Sequence, residues 1–338
     1  MTAPMGSQQR AARPSREAYR DLLAALLPGD ERLVCLDSDT GLFTGVDFGA
    51  GAARYVNLGI AEQNLMGVAA GLAACGRMPF VNTMATFAST RALEAVKLDI
   101  ALNNLPVRVV ATHGGLSAGH LGPTHHSLED LAIMRLLPNV TVIVPADATA
   151  TEELIRQCLE LPGPVYVRLG RTATPEVGPG DSGGAPPRIG RAQVLRRGED
   201  VTLAACGPHP VLIALEAADE LAALGIGATV LNLHTIKPLD VAAVVAAATG
   251  TTAIVAVEEH WSAGGLGSAV AEVVTELAPT RVLRVAVPDI FVAGTGGQRD
   301  LLERTGITSA AVVARTLEAL DAAPRTPTGR PDRAATRP

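Results

Sequence analysis

A single glutamate opens an otherwise apolar helical stretch. Glu62 lies in NLGIAEQN (57–64), and the residues that follow, LMGVAAGLAA (65–74), are small and aliphatic. A carboxylate on a first helical turn is favoured by the helix dipole and by solvent. The same residue, buried, would be held for proton chemistry. Pattern alone leaves both readings open. Four of the seven histidines fall between 113 and 126: His113, His120, His125 and His126, within THGGLSAGHLGPTHHS (112–127). Neutral imidazoles on a Gly-rich loop suit general acid/base work and hydrogen bonding to substrate, although incidental histidines on a solvated loop would read the same. No Cys and no helical His spacing accompany them, which argues against zinc, and no metal ligands are assigned. A third feature, GGLGS (264–268), follows VEEH (257–260) and resembles a dinucleotide turn, but Val270 stands where G-x-G-x-x-G needs its last Gly. The glycines could equally serve close packing of helix on strand. No P-loop motif occurs, which excludes NTP hydrolysis of that type.

The elements that must carry these residues alternate. Runs at 32–36, 55–58, 79–83, 108–112, 141–144 and 165–168 read as buried strands, and 60–74, 87–103, 127–137 and 149–161 as helices. The second half repeats the pattern, with strands at 201–205, 229–233, 252–258 and 281–285 and helices at 210–224, 240–248, 267–277 and 309–320. Such alternation implies right-handed crossovers and an α/β fold: two tandem three-layer domains with mostly parallel sheets. The segment 172–187, TATPEVGPGDSGGAPP, reads as a linker between domains at 15–171 and 188–321. The polar residues 1–14 and the Pro-, Arg- and Thr-rich tail 322–338 read as disordered.

Composition narrows the partners. The chain of 338 residues is 48% hydrophobic, 18% charged and only 3% aromatic, with net charge −6. An acidic chain without basic clusters or stacking platforms fits neither nucleic acid nor an anionic membrane. No apolar run reaches the ~20 residues of a membrane helix, and no signal peptide is evident. Cys35, Cys75, Cys158 and Cys206 are widely spaced, as expected of thiols in a reducing cytoplasm.

Four long stretches in order resemble the thiamine-diphosphate transketolase family, in particular the C-terminal subunit of split transketolases: YVNLGIAEQNLMGVAAGLAACG (55–76), ATFASTRALEAVKLDIALNNLPV (85–107), 112–147, and VEEHWSAGGLGSAVAEVV (257–274). The run Gly122-Pro123-Thr124-His125 favours transketolase over the related deoxyxylulose-phosphate synthases and 2-oxo-acid dehydrogenases. The resemblance implies a pyrimidine-binding domain followed by a transketolase C-terminal domain. It implies that Glu62 contacts the aminopyrimidine of thiamine diphosphate, where a carboxylate on the ring nitrogen stabilises the tautomer that removes the thiazolium proton. It further implies that Phe87 stacks on that ring, that Met84 stands where relatives often have a second aromatic, that Asp39 lies near the cofactor, and that His113 and His125 touch the sugar and help proton transfer. His120 and Arg16 are candidate substrate contacts. A turn-capping Asp and plain core packing are the alternatives for Asp39 and Met84.

Departures from the family pattern bear on substrate. His120 and Leu121 replace a common acidic pair, Val144 replaces a phosphate-binding Arg, and Leu42-Phe43 replaces a nearby Ser. A substrate other than an ordinary sugar phosphate, or a phosphate held by different residues, is therefore expected. The family's Gly-Asp-Gly diphosphate and Mg²⁺ motif does not occur in the chain. The resemblance thus implies a partner N-terminal subunit holding diphosphate and metal, two copies of each chain, and activity only in the assembly. The expected reaction is two-carbon ketol transfer from a ketose to an aldehyde or carrier-bound acceptor. A 2-oxo-acid dehydrogenase β-type subunit and a nicotinamide-dependent oxidoreductase are the alternatives.

Overall fold

The computed structural model describes residues 12–181 and 185–321. Among the described residues the strands are β1 (Arg13–Pro14), β2 (Leu33–Asp37), β3 (Tyr55–Asn57), β4 (Met78–Met84), β5 (Arg108–Thr112), β6 (Thr141–Ile143), β7 (Val165–Arg168), β8 (Ala173–Thr174), β9 (Gln193–Arg196), β10 (Val201–Ala205), β11 (Ala228–Asn232), β12 (Thr235–Lys237), β13 (Ala253–Trp261) and β14 (Arg281–Val287). They form a seven-stranded sheet ordered β12-β6-β7-β5-β4-β2-β3, a five-stranded sheet ordered β14-β13-β10-β11-β9, and the pair β1-β8. Within the two larger sheets all pairings are parallel except β12 with β6 and β9 with β11. The expected alternation is present. β2, β5, β7 and β10 are buried at every residue, as strands covered on both faces must be.

Three details depart from the expectations. Residues 1–11 and 322–338 lie outside the described residues, but the reading of 12–14 as disordered is corrected. Arg13–Pro14 pairs antiparallel with Ala173–Thr174, and Arg13 is tied to Glu152 at 2.8 Å and to Asp21. Charge pairing across 139 residues is invisible to local composition. The helix expected over 87–103 is broken. It runs Ala85–Ser89, then resumes as Leu93–Ala95 and a π-helical turn, Val96–Ala101. The Ser89 and Thr90 hydroxyls donate to the carbonyls of Ala85 and Thr86, four residues back, which competes with the helical ladder. Finally, β12 comes from the second half of the chain yet completes the first sheet, with Thr235 opposite Ile143.

The seam between the halves is apolar. One core cluster joins Leu131, Met134, Val142 and Val144 from the first half to Ala204, Leu231, Leu233 and Leu266 from the second. Among the described residues no helix is long and apolar enough to cross a membrane.

Candidate active site

The helix Glu62–Ala74 buries Glu62, Leu65, Met66, Ala69, Ala70 and Ala73. These positions lie on one helical face, so Glu62 begins the buried stripe and does not point to solvent; it is 2% exposed. Its carboxylate Oε2 accepts a hydrogen bond from Nη1 of Arg91 at 2.8 Å. The same guanidinium lies over the ring of Phe87, 4.4 Å from its centroid. Phe87 in turn meets the His125 ring edge-to-face at 5.3 Å. Three residues expected at the site are therefore joined through a fourth, Arg91, which lies in the break between the helices Ala85–Ser89 and Leu93–Ala95.

The histidine loop leaves β5. Its first residue, His113, has φ +61°, a left-handed conformation uncommon for a residue with a Cβ and often retained at functional sites. The ring is buried, and Nδ1 lies 2.9 Å from the Thr112 hydroxyl. Burial, followed by the charges of Arg16 and Arg171 and then His120 and His125, pushes its pKa down to about 3. His120 is exposed and is also lowered, by desolvation and then Arg171 and His125. Arg16, on the helix Ser15–Leu26, has a buried Nε with no partner among the described residues. It is lowered by burial and then by Arg171. Two guanidiniums, Arg16 and Arg171, thus lie within electrostatic reach of the His113 and His120 imidazoles, beside the carboxyl ends of β5 and β7, where open α/β sheets bind ligands.

The pKa of His113 has a consequence for stability. Unfolded, the imidazole binds a proton near pH 6.5; folded, it does not do so until about pH 3. Below about pH 6.5 the unfolded state holds the extra proton, so folding stability falls by up to ~1.4 kcal/mol per pH unit. His113→Asn should flatten this acid limb in urea midpoints measured from pH 7 to 4. It should not abolish the limb, because buried His234 is pushed down to about 4 as well. An unchanged slope would contradict the assignment.

Other expected residues lie outside this group. Met84 ends β4, opposite Thr112 in the ladder. Asp39 is exposed, with φ +61°, and accepts from Asn57 Nδ2 at 3.0 Å; Asn57 Oδ1 in turn accepts from the Gly59 amide on the approach to Glu62. The turn after β2 is capped instead by Asp37, which accepts from Thr40. His126 borders a cavity of about 300 Å³ with Thr86, Trp261 and Phe291. Phe43, in place of the family Ser, is core, packed on Tyr19, Phe48 and Tyr55. Sequence reasoning missed Arg91 and Arg171. Arg171, three residues past β7, had the signal of a charge at a strand end; Arg91 had none, because an unbroken helix would have carried it elsewhere.

The glycine turn at 264–267 is structural. The amides of Leu266 and Gly267 donate to the Glu258 carboxylate at 2.6 and 2.9 Å. A Cβ on Gly265 would stand 2.0 Å from that carboxylate. Its helix N-terminus is already filled by an internal anion, so the turn lends no support to nicotinamide binding. Among the described residues no group of three or more His, Cys, Asp or Glu could hold a metal.

Comparisons with known proteins identify the family of the chain. The family "Transketolase, pyrimidine binding domain" matches residues 12–176, and "Transketolase, C-terminal domain" matches 190–312. The 6-deoxy-6-sulfo-D-fructose transketolase subunit of Clostridium sp. (strain MSTE9) is 42% identical, over 88% of this chain and 92% of that protein. One of the subunits of the apulose-4-phosphate transketolase of Phocaeicola vulgatus is 37% identical, over 90% and 96%. Among solved structures, a split-gene transketolase described as an inactive β4 tetramer superposes with TM-score 0.83 at 44% identity, covering 91% of this chain and 98% of that one. The chain belongs to the transketolase family, as the subunit of a split enzyme that carries the pyrimidine-binding and C-terminal domains, and its activity is thiamine-diphosphate-dependent two-carbon ketol transfer.

Proposed function

We propose that this subunit forms the substrate-facing half of the active site and serves substrates with a terminal anionic group, phosphate or sulfonate. The observation that carries the reading is the pair of guanidiniums, Arg16 and Arg171, whose charges act on both His113 and His120. Two relatives are named for a sulfo sugar and a sugar phosphate, and both groups are anions that guanidinium recognises. Arg171 supplies the positive charge that Val144, buried at the domain seam, cannot.

Thiamine diphosphate, when bound, supplies the nucleophilic carbon that breaks and re-forms the ketol bond. Glu62 and Phe87 suit its aminopyrimidine. The guanidinium of Arg91 is flat, donates N–H to Glu62 and lies on Phe87, so the place accepts a planar donor and Arg91 is the group to be displaced. Glu62 would then hold a proton at the ring nitrogen, with Phe87, and Met84 at the end of β4, as the residues to cover the ring. Asp39 serves this region through Asn57. His113 is neutral at pH 7 and can accept a hydrogen bond from a substrate hydroxyl. An arriving anion offsets Arg16 and Arg171 and raises the basicity of His113, which readies it for proton transfer with His125.

The diphosphate and Mg²⁺ are assigned to a partner subunit bearing the Gly-Asp-Gly motif, with two copies of each chain in the assembly. The partner is supported by relatives named as subunits and by the inactive β-only tetramer. The four cysteines are unpaired, which supports a cytoplasmic setting. The test is a calorimetric titration with thiamine diphosphate and Mg²⁺. The chain alone is expected to bind poorly and to show no turnover, and addition of the partner to restore both. Tight binding by the chain alone would overturn this division of the site.

A further inference from the structure

We infer that Glu259, in the C-terminal domain, is a positioning residue that holds the histidine loop in its working conformation; the inference rests on the catalytic reading of His113 given above. Glu259 lies in the buried run of β13, one residue before buried His260, and is 7% exposed. Its carboxylate reaches across the domain seam, where Oε1 accepts the Leu116 amide at 2.6 Å, three residues past His113. Gln298 Nε2 donates to both carboxylate oxygens at 2.9 and 3.0 Å, and Gln298 Oε1 accepts from Thr172 at 2.9 Å. Arg168 ties the far end of the loop to the same residue. Its Nη2 donates to the carbonyls of Ser127 at 3.2 Å and Glu259 at 2.6 Å, while Asp130 lies 3.5 Å from its Nε.

The loop has no regular structure strong enough to fix itself. Its two ends meet in a single antiparallel bridge, Gly115 with Ser127, and His113 is held at φ +61°. A backbone conformation of that kind persists only when its surroundings over-determine it. The fit is close: a Cβ on Gly115 would lie 2.5 Å from the Glu259 carboxyl carbon, and one on Gly114 would lie 2.3 Å from Arg168 Nε. The glycines therefore admit the clamp. Further along, Gly119 accepts the Gly296 amide at 3.0 Å, and Leu128 accepts the Trp261 amide at 3.0 Å. The loop is thus framed by the C-terminal domain at three points, with Arg168 of β7 holding its far end, and Glu259 supplies the charged contact nearest His113. Glu62 and Phe87 make no contact with Glu259; the loop meets Phe87 through His125, nine residues past Leu116, so a change at Leu116 acts first on the His113 end.

The test uses the reconstituted enzyme. Glu259→Ala should lower kcat/KM for ketol transfer by about 10²-fold, as expected for a catalytic group displaced by about 1 Å. Thiamine-diphosphate affinity should stay within about twofold, since Glu62 and Phe87 lie outside the clamp. Glu259→Gln, which keeps an acceptor for Leu116, should restore most of the rate. Hydrogen exchange of the full chain should show the Leu116 amide at least about tenfold faster in Glu259→Ala, with β10 unchanged. If Glu259→Ala does not fold, Gly115→Ala displaces the carboxylate from the other side and should give the same split. Unchanged turnover in Glu259→Ala would overturn the inference. So would a parallel loss of cofactor affinity and of protection throughout the C-terminal sheet. Full turnover in His113→Asn would instead overturn the catalytic reading and leave the exchange result to stand alone.

Discussion

Glu62→Gln in the assembled enzyme is expected to keep its fold and lose turnover by ~10²–10⁴-fold, the usual range for lost acid/base assistance. Glutamine has nearly the same shape and can still receive a hydrogen bond from the cofactor ring, so binding should weaken far less than rate. It lacks the negative charge that makes a proton on the ring nitrogen favourable. Glu62 is 2% exposed, so no water molecule in bulk solvent can substitute for that charge at close range. In the cofactor-free chain the same substitution removes the ionic partner of Arg91 at 2.8 Å and leaves its contact with Phe87. Ketol transfer and exchange of the thiazolium C2 proton should be measured side by side. Both should fall together, and wild-type exchange in the variant would refute the role assigned to Glu62.

Joint replacement of Arg16 and Arg171 by Met is expected to act on substrate choice. Hydrogen bonds to charged groups contribute ~1.5–3 kcal/mol each, or roughly 10–10²-fold per contact. The double variant should therefore lose about 10²-fold or more in kcat/KM for an acceptor ending in phosphate or sulfonate, with an uncharged acceptor of the same length little affected. Comparing matched phosphate, sulfonate and uncharged acceptors distinguishes three outcomes. Equal losses for the two anions support a general anion site. A loss confined to one identifies the natural class. Equal losses for all three would mean that the arginines act on the fold or the loop and not on the substrate's charge. A second observable follows from the same charges: since Arg16 and Arg171 help depress His113, their removal should raise the pKa of its imidazole, as nuclear magnetic resonance titration would show.

Much of the candidate site is legible in the sequence because its signals are local. Glu62 stands out as a carboxylate starting a helix of Ala, Gly and Leu, and the histidines stand out because they crowd a Gly-rich loop. Both belong to strand ends that periodicity places correctly. What was hidden depends on hydroxyls and on distant partners. Arg91 reaches Glu62 and Phe87 only after Ser89 and Thr90 divert the helix. Glu259 read as one acid of a pair at a strand end, and nothing within ten residues of it shows that its partner is an amide 143 positions away. β9 and β12 were missed because each mixes Gln, Arg or Lys with only one or two apolar residues and joins its sheet as an outer antiparallel strand, outside the β-α alternation.

β12 carries a further lesson. The sequence divides at a Gly/Pro-rich segment, which invites expression of each half by itself. Yet Thr235–Lys237 is the strand that covers β6 in the first sheet, and Lys237 fastens it there by donating to the carbonyls of Arg135 and Leu137. A fragment ending at the linker would leave β6, the β-branched run Thr141–Ile143, as a bare outer strand with unpaired amides and carbonyls. Such an edge is a template for another chain. The first half can thus be a unit of ligand recognition without being a unit of solubility: its protection against self-association is encoded about ninety residues downstream of the strand it shields, in the half such a fragment would discard.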